Sequence, residues 1–342
     1  MKNQKNIIVG LIILLFCIGA HFVHYKRLKS FKQQIKLYND LSNANYSNTP
    51  AEFYNNIQVD IPNLTATTIP LKAMKAIYIT ANEPADSVQK AIKLLHESRK
   101  ENPFLMYSEG NLAQIYFSLR QRDSAYFYAR KSFNGLPKNA VHYAMLSKLF
   151  ANKNEYDSIV YYYQKINSRD ASIGKIFLAS MNNFYNDLDL INKRLVLQIT
   201  EDLKFINKTD KDLQLLADYI IYGEDLVEKA LNFEEKGEKL LIQQQFKEGI
   251  ELYEKALEIR KDNFPYIQTI ALASFNLFEY KSVIYNLEKL EKQKIALDPL
   301  SLYIKGISHY NLREYSMACN YLQRAAKFEQ KNAIEALESI CQ

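Results

Sequence analysis

The sequence predicts an all-α protein in which paired helices repeat along most of the chain. Amphipathic segments recur from about residue 72 onward at steps of 34 and 35 residues. None of the eight prolines lies between residues 138 and 264, and the chain has only nine glycines, so long helices meet few breakers. With 342 residues, 48% of them apolar, the chain is long and apolar enough to bury a large core.

Residues 1–24 are predicted to form a membrane-spanning helix. The run Ile7–Val23 is 17 residues long, at the short limit for crossing a bilayer. Five basic residues follow it and two precede it, which favours a retained single-pass anchor in a bacterial inner membrane with the C-terminal body in the cytoplasm. Small residues before His21 keep a second interpretation open, namely a signal peptide cleaved after Ala20 and a periplasmic or secreted body.

Residues 25–71 are predicted to be a basic juxtamembrane helix followed by a polar linker. The linker is either a flexible connection or an extended arm that lies on the body. Residues 1–40 hold seven Lys and Arg against Asp40 alone, which accounts for the whole net charge of +6. The remaining body is therefore balanced, and we expect no nucleic-acid partner.

The repeated blocks divide the rest of the chain. Three repeats are expected over 72–173 and three over 230–332, and residues 333–342 suit a capping helix. Residues 174–229 are helical by pattern but fall out of register, because no multiple of 34 fits the 90 residues between positions 140 and 230. This segment either continues the helical array in degenerate form or breaks it.

The blocks resemble the tetratricopeptide repeat, which has small residues at positions 8, 20 and 27 and larger ones at positions 17 and 24. Repeat 299–332 supplies Gly306, Tyr315, Ala318, Leu322 and Ala325, and repeat 230–263 supplies Gly237, Phe246, Gly249, Tyr253 and Ala256. The resemblance implies an α-solenoid with a right-handed superhelix that binds proteins. The composition, rich in Asn, Lys, Ile and Tyr, suggests a bacterial protein.

No motif for catalysis stands out. Cys17, Cys319 and Cys341 form no CxxC pair, so neither a disulfide framework nor a metal site is expected. Cys319 falls in a column of large apolar residues and is interpreted as a packing residue, as is nearby His309. We therefore expect no enzyme activity, no cofactor, no metal and no small-molecule substrate; an enzyme hidden in 174–229 is the opposing hypothesis.

The expected site is the concave groove that the first helices of the repeats line in proteins of this family. Apolar and aromatic residues fill this column in the C-terminal repeats, and we expect them to bind a partner's helix or peptide: Leu241, Leu272, Phe275, Leu300, Tyr303, Ile307 and Tyr310. The opposing interpretation is that some pack on the capping helix or the linker. The predicted function is a membrane-tethered protein–protein interaction scaffold in envelope biogenesis; a periplasmic or secreted binding module is the alternative.

Overall fold

The computed structural model describes residues 2–43, 49–61, 63–82, 87–166, 168–182 and 184–341. Within those ranges the chain is built from α-helices, with a 3-10 helix at Tyr185–Asp187 and one isolated bridge between Leu64 and Pro70. The prediction of an all-α protein is confirmed. The chain divides into two compact units, Met1–Ser180 and Met181–Gln342.

The first unit begins with a long helix and continues as helical hairpins. Its helices are α1 (Lys2–Asn43), α2 (Ala51–Asn55), α3 (Leu71–Asn82), α4 (Val88–Ser98), α5 (Tyr107–Ser118), α6 (Arg122–Gly135), α7 (Ala140–Ala151), α8 (Tyr156–Ile166) and α9 (Ala171–Asn182), the last of which crosses the boundary between the units. Pairs α3/α4, α5/α6 and α7/α8 pack as hairpins, and the first helices α3, α5 and α7 contact one another in turn.

Helix α1 is long and apolar enough over Val9–Asp40 to cross a membrane or to act as a signal sequence. Its C-terminal half packs on the first unit through one face, where Ser30, Leu37 and Asp40 are buried. Tyr78 Oη of α3 donates a hydrogen bond to Asp40 Oδ2 at 2.5 Å. Lys36 Nζ lies 3.0 Å from the same oxygen. The apolar packing and this buried carboxylate join α1 to the first hairpin.

The described part of the predicted polar linker, residues 49–61 and 63–70, lies on the body. Tyr54 and Ile57 are buried in the same core cluster as Leu37 and Tyr78. Gln33 of α1 holds this segment from both sides, since its Nε2 donates to Asn56 O at 2.8 Å and its Oε1 accepts from Gln58 N at 3.0 Å. Of the two alternatives for the linker, the placement of these residues favours an arm on the body. Residues 44–48 and 62 of the segment lie outside the described residues.

The second unit consists of α10 (Leu190–Ile206), α11 (Lys211–Tyr222), α12 (Glu224–Ile242), α13 (Phe246–Ile259), α14 (Phe264–Asn276), α15 (Tyr280–Lys292), α16 (Pro299–Asn311), α17 (Tyr315–Ala326) and α18 (Lys331–Ile340). Side-chain caps start several of these helices: Asn263 Oδ1 accepts from Tyr266 N, and Asp298 Oδ1 accepts from Ser301 N. The proline that follows each helix start fits because the first turn needs no N–H donor.

Small residues let the two helices of a hairpin approach closely. Gly237 of α12 lies against Gly249 and Tyr253 of α13, and a Cβ added to it would lie 2.9 Å from Tyr253 Cδ2. Gly306 of α16 lies against Leu322 of α17 in the same way, with an added Cβ 2.9 Å from Leu322 Cγ. Gly237 and Gly306 occupy position 8 of the resemblance, and the larger residues Tyr253 and Leu322 occupy position 24. The packing reason for a small residue at position 8 is therefore present in both hairpins.

Five of the described turns between the two helices of a hairpin share one backbone feature. A non-glycine residue with positive φ follows the first helix at Arg120, Asn154, Gln244, Phe278 and Arg313. Neighbours in this series are 34, 34 and 35 residues apart, with a gap of 90 between Asn154 and Gln244. The repeat therefore appears in the backbone independently of side-chain type, and its interruption coincides with α9–α11.

The expectation that the cysteines form no disulfide is wrong. Cys319 of α17 and Cys341, which follows α18, are joined by a disulfide across 22 residues of sequence. Spacing could not reveal the pair, because the two cysteines meet only when α18 folds back on α17. Ala333 of α18 is fully buried in the core of this unit, so α18 covers the end of the array and the disulfide holds it there.

Candidate protein-binding groove

Helices α14 and α16, the first helices of two successive hairpins, contact each other directly. A polar connection fixes them near their N-terminal ends: Gln268 Nε2 of α14 donates to Ser301 Oγ at 3.1 Å and also to Asp298, the residue that caps α16. Beyond this connection the two helices present apolar residues at helical spacing. We refer to the surface formed by Leu272, Phe275, Leu300, Tyr303, Ile307 and Tyr310 as the α14/α16 strip.

The strip has exposed members and half-buried ones. Leu272, Leu300 and Tyr310 expose 38%, 43% and 39% of their surface. Phe275, Tyr303 and Ile307 are half-buried and pack on the core cluster formed by α14–α18. Tyr310 is further supported by an edge-to-face contact with Tyr315, ring centroids 5.7 Å apart. The half-buried residues thus support exposed apolar neighbours, as expected for a surface that keeps its shape without a ligand.

Leu241, the remaining predicted groove residue, lies inside the α12/α13 hairpin. Its Cδ2 occupies the space beside Gly249, 2.5 Å from where a Cβ on that glycine would lie. The side chain is half-buried and packs on the core cluster that contains Ala230 and Tyr253. The structure therefore gives Leu241 a packing position beside the close helix contact, and its role in binding stays a prediction.

A buried polar network lies at the other end of this unit and connects α10, α11, α12 and α14. Asp218 is almost fully buried and pairs with Lys204 and with Arg260 Nε, the latter at 2.8 Å. Arg260 Nη1 donates to Tyr266 Oη at 2.7 Å, and Tyr266 Oη donates to Glu234 Oε2 at 2.7 Å. Burial first, and then the hydrogen bond to Glu234, raises the pKa of Tyr266. The network is satisfied internally and orients the residues around it.

A pocket of about 410 Å³ opens beside this network. Lys208, Lys211 and Gln214 are among its polar lining residues, and Leu231, Phe264 and Ile295 are among its apolar ones. Lys208 Nζ donates to Gln293 O at 2.7 Å, so one of these cations is already engaged. Sequence reasoning missed the pocket because Lys204 and Asp218 lie in the out-of-register segment. The available signal was a pair of polar residues, Glu234 and Gln268, which lie 34 residues apart in the first helices of two successive repeats. Each makes a hydrogen bond to the next hairpin.

Cys319 and His309 are not arranged for nucleophilic catalysis. The sulfur of Cys319 is bonded to Cys341, and His309 Nδ1 pairs with Glu314 while its ring stacks on Tyr321. In the part of the chain that the structure describes, no group of three His, Cys, Asp or Glu side chains is placed to hold a metal ion.

Comparisons with known proteins gave matches among solved structures. No family model matches the chain, and no curated protein matches it. Among solved structures it is similar to a tetratricopeptide repeat protein from Parabacteroides merdae, at 12% identity over 79% of this chain and 99% of that one, with a TM-score of 0.33. It is also similar to the tetratricopeptide domain of P58(IPK), at 10% identity over 91% of this chain and 97% of that one, with a TM-score of 0.37.

The chain is also similar to the TPR2AB domain of yeast Sti1, solved as a complex with pHSP90, at 15% identity over 69% of this chain and 96% of that one, with a TM-score of 0.28. The assignment of fold rests on this chain's own geometry: helical hairpins, close glycine contacts and turns that recur every 34 or 35 residues. By these features the chain has a fold of the tetratricopeptide type.

Proposed function

We propose that this chain is a membrane-tethered scaffold that binds a helix or extended segment of a partner protein on the α14/α16 strip. The observation that carries the proposal is the row of exposed apolar side chains on two contacting helices, supported from below by half-buried aromatic residues. An amphipathic partner segment would cover this row with its own apolar face. The proposed setting is a bacterial envelope, since the N-terminal helix is suited to a membrane and the composition, rich in Asn, Lys, Ile and Tyr, suggests a bacterial protein.

Site-specific photo-crosslinking in intact cells tests the strip. A photoreactive residue at Tyr303 or Tyr310 is expected to capture one partner, and the capture should be lost when Leu300→Glu places a charge on the same surface. Tyr285, which is exposed on α15, is the matched control position for a surface outside the strip. Equal capture from Tyr285, or capture that survives Leu300→Glu, would refute the strip as the binding surface.

The disulfide bears on which side of the membrane the body occupies. The charge difference across the N-terminal helix predicts a cytoplasmic body, whereas disulfides persist mainly in oxidising compartments such as the periplasm. We propose that the body is on the oxidising side, because Cys319 and Cys341 form a bond that also closes the last hairpin. Maleimide labelling of denatured chain from thiol-blocked cells, before and after reduction, tests this; if both cysteines were blocked in living cells, the body would be cytoplasmic.

The second candidate is a periplasmic or secreted binding module released by cleavage after Ala20. The same disulfide favours export and therefore fits this candidate too. The mass of the intact mature chain decides between them, since the anchored form keeps residues 1–20 and the released form lacks them.

A further inference from the structure

The pocket of about 410 Å³ beside the buried network is bounded by several segments of the second unit. They are the turn between α10 and α11, the first turns of α11, the middle of α12, the start of α14 and the connection that precedes α16. We call this space the α11/α14 pocket. A compact space enclosed by so many segments suits a small ligand better than an extended segment of a partner.

Arg260 brings unused hydrogen-bond donors to this pocket. The residue is only 5% exposed; its Nε donates to Asp218 Oδ2 at 2.8 Å and its Nη1 donates to Tyr266 Oη at 2.7 Å. Its Nη2 makes no hydrogen bond to any residue that the structure describes. The charges of the network are therefore balanced, but the N–H groups of Nη2 remain open on a residue that lines the pocket. A bound acceptor would remove the cost of leaving buried donors unpaired.

The charged residues of the lining favour a ligand with a single negative charge. The cations outnumber the carboxylates, four against three: Lys204, Lys208, Lys211 and Arg260 against Asp212, Asp218 and Glu234. Lys211 is exposed and forms neither a hydrogen bond nor an ion pair within the described ranges, so its ammonium group is available. One carboxylate would bring the lining to neutrality, whereas a phosphate dianion would leave an excess negative charge.

The N-terminal ends of α11 and α14 also border the pocket, through Lys211 and Phe264. The N-terminus of a helix carries a partial positive charge, which favours a nearby anion. The end of α14 contributes more, because its cap is the uncharged Asn263, whereas Asp210 already places a carboxylate at the start of α11. This field adds to the preference for an anion that Arg260 and the lysines create.

We propose that the α11/α14 pocket binds a small organic acid in which one carboxylate is carried on a compact apolar group. The carboxylate accepts hydrogen bonds from Arg260 Nη2 and from Lys211 Nζ. The apolar group lies against the apolar residues of the lining, which are Leu231, Phe264 and Ile295. This proposal goes beyond the binding of a partner protein and uses none of the residues of the α14/α16 strip.

Isothermal titration calorimetry of the full chain in detergent tests the proposal, with 3-phenylpropionate as the probe. We expect a dissociation constant of about 1 mM or tighter, which is ordinary for a ligand of this size. The alcohol 3-phenylpropan-1-ol has the same shape without the charge and should bind at least about tenfold more weakly, because it lacks the charged hydrogen bonds. Propionate keeps the carboxylate without the ring and should also bind at least about tenfold more weakly.

Variants at exposed positions locate the acid without disturbing the buried network. Lys211→Ala should weaken the binding of 3-phenylpropionate by about threefold and leave that of the alcohol unchanged. Lys236→Ala, at an exposed lysine of α12 outside the lining, is the matched control and should change neither. Ala296 is an exposed lining residue in the connection before α16, and Ala296→Trp should abolish binding by filling the pocket.

Three results would overturn the proposal. Equal affinity for the acid and the alcohol would show that no carboxylate is recognised. Binding that survives Ala296→Trp, or that Lys236→Ala weakens as much as Lys211→Ala does, would place the acid outside the pocket. A tetrapeptide ending in phenylalanine that binds more tightly than 3-phenylpropionate would assign the pocket to the end of a protein chain and exclude the small acid as its ligand.

Discussion

The contact between Gly306 and Leu322 gives a sharp test of how closely α16 and α17 approach. In Gly306→Ala, the new Cβ would lie 2.9 Å from Leu322 Cγ and 3.2 Å from the backbone nitrogen of the same residue. A side chain can move aside, but a backbone atom moves only with its helix. Overpacking of this kind costs about 1–3 kcal/mol, while the gain in helix propensity from Gly to Ala returns about 1 kcal/mol. We expect a net loss of about 1 kcal/mol in the stability of this hairpin.

Gly110→Ala is the matched control within a helix. The nearest atom to its added Cβ is His142 Nε2 at 3.4 Å, an ordinary contact, so only the propensity gain remains. This variant should be more stable by about 0.5–1 kcal/mol, opposite in sign to Gly306→Ala. Hydrogen exchange of the α16, α17 and α5 amides in the full chain measures each local opening free energy.

A double-mutant cycle with Leu322→Ala isolates the contact. Leu322 is fully buried, so its truncation alone should cost about 2–5 kcal/mol. Because the alanine methyl at position 306 then occupies part of the vacated space, the double variant should lose about 1 kcal/mol less than the sum of the single losses. Strictly additive losses, or a stabilising Gly306→Ala, would refute the close approach of the two helices.

Three further predictions concern single sites. Asp218→Asn leaves Lys204 and Arg260 without their buried countercharge. It should lower the free energy of unfolding, measured with urea on the full chain, by about 3–5 kcal/mol. A decrease below about 1 kcal/mol contradicts the network. Phe278→Gly should stabilise by about 0.5 kcal/mol in thermal unfolding, since Phe278 has φ 59° and is 74% exposed; destabilisation would mean that its ring makes an essential contact. Burial lowers the pKa of His142 from 6.5. The unfolded state therefore takes up the proton first, and the free energy of unfolding should fall as pH decreases through 6.5. His142→Gln should make the free energy of unfolding less dependent on pH in this range.

The repeat could be predicted from the sequence because its causes are local and periodic. Small residues such as Gly237 and Gly306 recur where the two helices of a hairpin touch, and apolar residues recur where hairpins stack. The spacing of these residues in the sequence is therefore enough to predict this packing. Where a contact joins residues far apart in the chain, spacing carries no such information. The Cys319–Cys341 disulfide depends on α18 docking, and the Asp218–Arg260 pair joins an out-of-register helix to a regular hairpin.

The candidate site was predictable to the level of a helix face. The column of first-helix residues selects one side of α16, since Leu300, Tyr303, Ile307 and Tyr310 follow helical spacing. That this side binds a partner stays a prediction. The repeat position of a residue does not show how deeply its side chain is buried, however. Leu241 belongs to the same column by position, yet the glycine opposite it opens space inside the hairpin, and its side chain turns inward to fill that space.

The attachment of α1 to the first hairpin has a mechanical consequence. Asp40 and Leu37 fix the helix to the body about 20–25 Å beyond Val23, so no flexible tether separates the two. Tilts of about 20° are ordinary for membrane helices. If α1 crosses a membrane as proposed, the first hairpin, which is fixed to it, would turn through the same angle, and a change in bilayer thickness that alters the tilt would move this hairpin.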